Sequence, residues 1–389
     1  MFLQSLHLQQ FRNYGDQAIE FLAPKTILLG ENAQGKSNLL EAVELLATLK
    51  SHRTNRDRDL VQNDTTTAQI RADLKRELGV ASLQLTLRSG SRRTAVINGE
   101  TLRRQQDFLG NLNAVQFSCL DLELVRGGPG RRRTWADTLL MQLEPVYVHI
   151  LQQYSQALKQ RNAFIKQQTA DVMPDHPPRL DPTQLALWDA QLATLGTRVI
   201  RRRTRMLKRL IPIAQTWHQA ISGSTEQLQI CYAPNVEIDT DDANQIQQAF
   251  LDKLKTRTTA EYYQRTTLVG PHRDDINFLI DETPARQYGS QGQQRTLVLA
   301  LKLSELQLIE AVVGEPPLLL LDDVLAELDL NRQNQLLDTI QDRFQTLITT
   351  THLGSFDAKW LTSSQVLQVA DGRLSSSCHS ISQLATLPG

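Results

Sequence analysis

A short apolar run, Thr26-Ile-Leu-Leu29, leads into Gly30-Glu-Asn-Ala-Gln-Gly35-Lys36-Ser37, and apolar residues at helical spacing follow: Leu39, Leu40, Val43, Leu46 and Leu49. Strand, glycine-rich turn and helix in that order match G-x-x-x-x-G-K-[ST] in full, and they commit the chain to an α/β fold. The glycines let the turn wrap so that successive backbone N–H groups face inward, and the helix N-terminus adds partial positive charge. The turn residues Gly30, Glu31, Asn32, Ala33, Gln34, Gly35, Lys36, Ser37 and Asn38 are therefore the expected cradle for a chain of phosphates. Lys36 is expected to reach the β- and γ-phosphates, and the Ser37 hydroxyl to ligate Mg²⁺.

A metal held this way needs a carboxylate from a second element. Leu318-Leu-Leu-Leu321 is a run of four apolar residues, which predicts a buried central strand, and Asp322-Asp323 stands at its C-terminal tip. Asp322 is expected to hold Mg²⁺, directly or through water. Asp323 is expected to orient or deprotonate an attacking water. A third element is Tyr288-Gly-Ser290-Gln-Gly292-Gln-Gln294-Arg295, before a helical pattern. A hydroxyl, a bare backbone and a helix N-terminus together suit an anion. The spacing argues against the phosphate loop of its own chain and for the γ-phosphate of a second subunit.

The 389 residues allow one large or two medium domains, and 40% hydrophobic residues suffice for a core. The 42 Lys and Arg balance the 42 Asp and Glu, so a globally basic nucleic-acid coat is excluded and any DNA surface must be a local patch. Cys119, Cys231 and Cys378 are far apart and form no C-x-x-C pair, which disfavours disulfides and structural zinc and fits a cytoplasmic location. Met1 to Phe11 alternates without a long apolar run and reads as a strand, and no stretch suits a membrane span.

Alternation from Ile70 to Ile97, with Asn98-Gly99 as a turn, predicts a meander. Helical stripes begin after Arg131, break at Met173-Pro-Asp-His-Pro-Pro178, and resume from Leu185 to Ala220. Strands return at Asn277–Ile280, a helix spans Gln294–Glu310, another starts at Asn331, and a hairpin covers Val366–Leu374. The expected division is an ATPase head in two parts, 1–122 and 262–376, a helical insertion lobe at 123–261, and a flexible tail at 377–389.

In this order the three elements resemble the ATP-binding-cassette set of Walker A, signature and Walker B. Ala326–Asp329 resembles its D-loop and Thr351-His352 its switch histidine. Phe11-Arg-Asn-Tyr14, Ser51-His-Arg-Thr54, Thr267-Leu-Val-Gly-Pro-His-Arg-Asp-Asp275 and Leu320–Asp329 together resemble the RecF family over all but the tail. The resemblance implies an ABC-type, SMC-like P-loop ATPase head with a mixed sheet plus an inserted, mostly helical lobe. It implies ATP and Mg²⁺ as cofactors, an ATP-dependent homodimer, and slow, DNA-stimulated hydrolysis used as a switch. It implies binding of single- and double-stranded DNA, partnership with RecR and RecO, and indirectly with RecA, in gap repair, replication restart and SOS induction. By the same resemblance Lys36, Asp322, Asp323 and His352 carry the chemistry. Arg12, Ser290 and Gly292 approach nucleotide. Asp323 stands where transporters usually have Glu.

Several signals keep two readings. Gln116 follows an apolar run and either watches the metal or ends a strand. Arg198, Arg202, Arg205 and Arg209 recur at i, i+4, i+7 and i+11, one stripe of a helix that suits a DNA backbone or a solvated face. Few acids lie nearby in sequence. Arg131, Arg132 and Arg133 open a helix against its dipole, which hints at an outside anion. Trp188 and Trp217 lie on apolar stripes and are expected in the core. Side-chain chemistry assigns no role to His272 or Arg273. A non-catalytic DNA scaffold and a transporter ATPase are the competing functions. The first would have lost some of Lys36, Ser37, Asp322, Ser290 and His352; the second lacks an evident coupling segment.

Overall fold

The computed structural model describes residues 1–77, 79–168, 182–223, 226–340, 343–354, 356 and 358–376. The expected break at Met173–Pro178 and the expected tail lie outside the described residues. By compactness the chain divides into two units, Met1–Asp121 with Val298 onward, and Leu122–Leu297. The first division adjoins the expected one at 122. The second falls at 297 and not at 261, because β10 (Asp275–Ile280) pairs antiparallel with β9 (Leu228–Ala233) inside the second unit.

The first unit opens with β1 (Phe2–Phe11), β2 (Tyr14–Glu20) and β3 (Lys25–Leu29), then α1 (Lys36–Thr48). The meander β4 (Thr67–Arg76), β5 (Gly79–Arg88), β6 (Thr94–Ile97) and β7 (Glu100–Thr101) follows, then β8 (Ala114–Ser118). After the second unit come β12 (Leu318–Asp322), α9 (Leu330–Ile340), β13 (Thr346–Thr350), α10 (Ala358–Thr362), β14 (Ser364–Ala370) and β15 (Arg373–Ser376). The antiparallel sheet runs in the order β2-β1-β4-β5-β6-β7, and the mixed sheet in the order β15-β14-β3-β13-β12-β8.

Helix α1 packs against strands of both sheets and has no wet stripe. Leu39, Leu40, Ala42, Val43, Leu45, Leu46 and Ala47 all join one buried cluster with residues of β1, β4, β5 and β12. A helix that is apolar all round is stable only where every face is covered. Glu41 is 0% exposed on this helix. Such a carboxylate persists only if paired, and the Arg12 guanidinium grips it through Nε and Nη2 at 2.9 and 2.6 Å.

The second unit holds α2 (Glu123–Arg126), α3 (Pro129–Leu143), α4 (Tyr147–Gln168), the 41-residue α5 (Pro182–Ser222), β9, α6 (Ala243–Gln264), β10, β11 (Thr283–Pro284), α7 (Ala285–Tyr288) and the start of α8 (Gln291–Val313). Among its buried apolar side chains lie two buried arginines with their acids. Arg161, 0% exposed, donates to Asp189, Thr267 and Glu261 at 2.7, 2.9 and 2.7 Å. Arg203 donates to both Asp137 oxygens, to Asp274 and to the Pro271 carbonyl. Burial is the largest influence and works against its charge, but Asp137, Tyr147 and Tyr232 together hold the guanidinium above its ordinary range.

The string Gly270-Pro-His-Arg-Asp-Asp275 is the knot of this unit. Tyr232 donates to Asp274, Arg132 donates twice to Asp275, and Arg273 caps the Thr267 carbonyl. His272 bonds Tyr154 through Nδ1 at 2.6 Å and the Thr267 carbonyl through Nε2 at 3.1 Å. These bonds give His272 and Arg273 the structural role that sequence left open.

Of the two readings of the Arg131–Arg133 run, the contacts of Arg132 and Arg133 favour partners within the unit. Arg132 is paired with Asp275, and Arg133 donates to the Asp274 carbonyl at 2.7 Å. The stripe on α5 also has partners remote in sequence. Arg202 pairs with Glu144 and Arg205 with Asp241, while Arg198 and Arg209 are exposed and in no ion pair among the described residues. Trp188 and Trp217 are half-buried. Among the described residues no helix is long and apolar enough to cross a membrane.

Burial lowers the His272 pKa from 6.5 to about 4. The unfolded chain therefore takes up a proton as pH falls below about 6.5, while the folded chain resists until about 4. Stability from the neutral ring is complete above 6.5 and drains away as pH drops toward 4. His272→Gln cannot lose it this way. We expect the stability advantage of wild type over His272→Gln to shrink by about 2 kcal/mol between pH 7.5 and pH 5. Urea unfolding of both proteins at the two pH values checks this, and a constant gap would place the histidine's proton elsewhere.

Candidate nucleotide site

The parallel register of the mixed sheet builds the site. Asp322 of β12 lies level with Thr349 of β13, and Thr349 lies level with Leu28 of β3. The phosphate loop therefore leaves β3 beside the carboxylate tip of β12, at the C-terminal edge where parallel sheets place ligands. Two glycines in the loop are required by space. A Cβ on Gly30 would lie 2.3 Å from the Val369 carbonyl oxygen, and Gly35 has φ +115° with the Asn13 side chain 2.7 Å from where a Cβ would stand.

The loop is fixed from outside. Asn13 donates to the Gln34 carbonyl at 2.9 Å, Tyr14 donates to the Gly35 carbonyl at 3.0 Å, and the Gly372 N–H donates to the Gln34 carbonyl at 3.0 Å. Lys36 is 3% exposed, and its ammonium donates to the Gly30 and Glu31 carbonyls at 2.8 and 2.9 Å. The cation is thus held at the mouth of the loop by two backbone carbonyls.

Ser37 Oγ donates to Asp322 Oδ1 at 2.6 Å across 285 residues of sequence. Thr349 Oγ donates to the same oxygen at 2.9 Å and accepts the Asp323 N–H at 2.9 Å. Asp323 has φ +53°, a left-handed conformation that Asp and Asn tolerate. Burial raises its carboxyl pKa above the ordinary range; Lys36 opposes the rise and Asp322 adds to it. A carboxylate so placed takes a proton more readily than one in water.

The donor set fits a hard cation. Ser37 and Asp322 offer oxygens that already converge, and Gln116 Oε1 is buried with no hydrogen-bond partner among the described residues. Gln116 lies within β8 opposite Leu320, two residues short of the strand tip where Ser118 faces Asp322. Its Nε2 is 3.5 Å from His52 Nε2.

The other expected residues divide between the units. His352 is exposed just past β13, its Nδ1 3.1 Å from Thr351 Oγ. Arg12 is committed to Glu41 and to the Asp59 carbonyl at 2.6 Å. Ser290 and Gly292 belong to the second unit. There the Ser290 N–H donates to Gln293 Oε1 at 2.8 Å, and the Gln293 N–H donates to Ser290 Oγ at 3.2 Å. This reciprocal pair is a capping box, so the signature serine starts α8 while staying exposed.

Sequence reading missed Glu41, Glu44, His52 and Thr349. His52 Nδ1 bonds Glu44 at 2.6 Å; burial lowers its basicity most, but Glu44, Glu41 and Asp322 together make the net shift upward. The legible signal was two carboxylates inside an otherwise apolar helix.

Comparison with known proteins agrees with this geometry. The family model for the RecF/RecN/SMC N terminal domain matches residues 2–373. A protein of Nostoc punctiforme called DNA replication and repair protein RecF is 67% identical over 376 residues, covering 96% of this chain and 99% of that relative. The chain belongs to the RecF family. The relative of the same name in Acaryochloris marina is 65% identical over 374 residues, covering 96% of this chain and 99% of its own. A solved structure described as the recombination mediator protein RecF-ATP in the RecFOR pathway is 31% identical with a TM-score of 0.87, covering 96% of this chain and 97% of that one. An SMC head domain derived from Pyrococcus furiosus shares the fold alone, at 14% identity and TM-score 0.54 over 99% of this chain and 98% of that one. As a RecF-family chain this is an SMC-like, ABC-type ATPase head of α/β class.

Proposed function

We propose that this chain is an ATP-dependent, DNA-binding recombination mediator that uses slow hydrolysis as a switch. The carrying observation is the 2.6 Å contact between Ser37 and Asp322, which joins the phosphate loop to the strand-tip carboxylate. The ATP named for the RecF-family structure supports ATP as its nucleotide. Lys36 and the N–H groups of the loop would bind its phosphates, and Ser37, Asp322 and, through its orphan oxygen, Gln116 would hold Mg²⁺. When bound, that ion neutralises phosphate charge. Asp323 would orient the attacking water and accept its proton, and His352 would attend the same edge.

The exposed capping serine of α8 supports a homodimer in which Ser290 and Gly292 of one subunit meet the γ-phosphate of the other. The relatives' name, DNA replication and repair protein, supports DNA as the substrate lattice, and the reading extends to single and double strands. The RecFOR pathway named for the solved structures supports RecR with RecO as partners. RecA loading in gap repair, replication restart and SOS induction, in the cytoplasm, is the wider role this reading assigns to the chain.

Sedimentation with and without ATP and DNA tests the reading: ATP should convert monomer to dimer, and DNA should co-sediment with the dimer. Ser290→Arg should leave monomer nucleotide affinity within about twofold and block the dimer. It costs only the cap, about 1 kcal/mol of helix stability. A Ser290→Arg monomer that loses ATP would instead place this serine in its own chain's site.

A further inference from the structure

The loop 51–59 is fastened to α1 and, on its other side, walls a cleft rich in arginine. Toward α1, Ser51 Oγ donates to Glu41 at 2.5 Å, His52 bonds Glu44, and Arg53 donates to Asn38 Oδ1 at 2.6 Å. Asn38 directly follows Ser37 of the phosphate loop. Away from α1, Arg56 and Arg58 meet Arg88 and Arg92, which flank the turn after β5.

Asp57, which lines the cleft, and Asp59 beside it do not cancel these charges. Asp57 is taken by Arg93, which donates to it through Nε and Nη2 at 2.9 and 2.6 Å and also caps the Leu49 carbonyl. Asp59 accepts from Thr54 and lies 3.5 Å from Arg58, whose side chain is still 70% exposed. Arg56 and Arg92 are exposed as well. Every other residue lining the cleft is Gly90 or Ser91, so no apolar side chain faces it. Protein interfaces concentrate aromatic and apolar groups at their centre. An open set of guanidiniums on arginine stems, with no aliphatic or aromatic residue among the described lining, suits phosphate oxygens instead.

Resting on the DNA-binding reading above, we propose that this cleft binds the phosphate backbone of DNA, and that loop 51–59 links its occupancy to the phosphate loop through Glu41, Glu44 and Asn38. Phosphates drawn between Arg56, Arg58 and Arg92 pull on one wall of the cleft. That wall ends on the helix that carries Lys36 and Ser37. The cleft belongs wholly to the first unit and shares no residue with the α5 stripe, where two of four arginines are already paired.

The test is the triple variant Arg56→Ala/Arg58→Ala/Arg92→Ala, with Arg88 kept because it donates to Thr94 at 2.6 Å. A labelled 30-base-pair duplex and its single strand are titrated with ATP across a salt series. If all three arginines touch phosphates, the log–log salt slope should fall by about 2.7 for the duplex and about 2.1 for the single strand. DNA-stimulated turnover should drop to the DNA-free rate, while DNA-free turnover and ATP affinity stay at wild-type values. The matching triple Lys variant should recover most of the slope. A wild-type slope in the Ala variant overturns the site and points to an acidic protein partner. A Lys variant as weak as the Ala variant overturns it too, by tracing the loss to structure and not to charge. Wild-type protein that binds no DNA at all sinks the function proposed above, and this site with it.

Discussion

Lys36→Met abolishes ATP-driven assembly and weakens ATP binding by at least tenfold to a hundredfold. The lysine is the only cation within the loop sequence, and it is 3% exposed, so its contacts with phosphate form in a partly desolvated place. Charge-assisted hydrogen bonds of this kind contribute about 1.5–3 kcal/mol each. Methionine keeps the length and the buried stem while removing the charge. The Gly30 and Glu31 carbonyls lose their donor, so a small loss of stability, on the order of 1–2 kcal/mol, accompanies the change. Fluorescent-nucleotide titration measures the affinity, and sedimentation measures the dimer. Wild-type affinity together with wild-type dimer formation would remove the phosphate-loop assignment.

Asp323→Asn lowers turnover by about a hundredfold to ten-thousandfold, the usual contribution of a positioned base, while ATP still binds and the ATP-bound dimer accumulates. Asparagine is the informative substitute because position 323 has φ +53°. It tolerates that conformation, whereas a β-branched residue would strain the backbone and confuse base loss with misfolding. The Thr349 hydroxyl still accepts the backbone N–H at 323, and Asp322 still meets Ser37. Phosphate release under single-turnover conditions, paired with sedimentation in ATP, separates chemistry from assembly. Near-wild-type release would assign the proton to another group, with His352 the next to test.

The elements that carry the phosphate chemistry were legible because their signals are local. Strand, loop and helix from Thr26 to Leu49 are contiguous, and each is written in period and turn chemistry. The apolar run Leu318–Leu321 announced a buried strand with Asp322 at its end, and the structure has β12 there, ending at Asp322. The run at Ser290 was legible as a helix N-terminus, and the structure starts α8 there, with Ser290 and Gln293 bonded reciprocally. Each element is defined by residues close in sequence, so spacing alone locates it, while the contact of Ser37 with Asp322 across 285 residues is made by the sheet.

What remained hidden depends on residues far apart in the chain. Arg12, expected near nucleotide, also answers a buried carboxylate on α1, 29 residues away, which its sequence neighbours do not announce. Arg132 looked like an anion site, but Asp275, 143 residues away, satisfies it. The arginine stripe on α5 looked unopposed, but Glu144 and Asp241 reach Arg202 and Arg205 across 58 and 36 residues. The boundary at 297 depends on the pairing of β9 with β10. A sequence determines which groups are charged and where a helix or strand runs. Only tertiary packing decides which charges are buried, and a buried charge recruits whatever opposite charge the fold brings within reach, because leaving it unpaired costs more than any local preference. The phosphate loop, the strand-tip carboxylates and the capping serine were therefore the sequence's to determine. The pairing of Arg12, the knot at Gly270–Asp275 and the arginine cleft at loop 51–59 were decided by the fold.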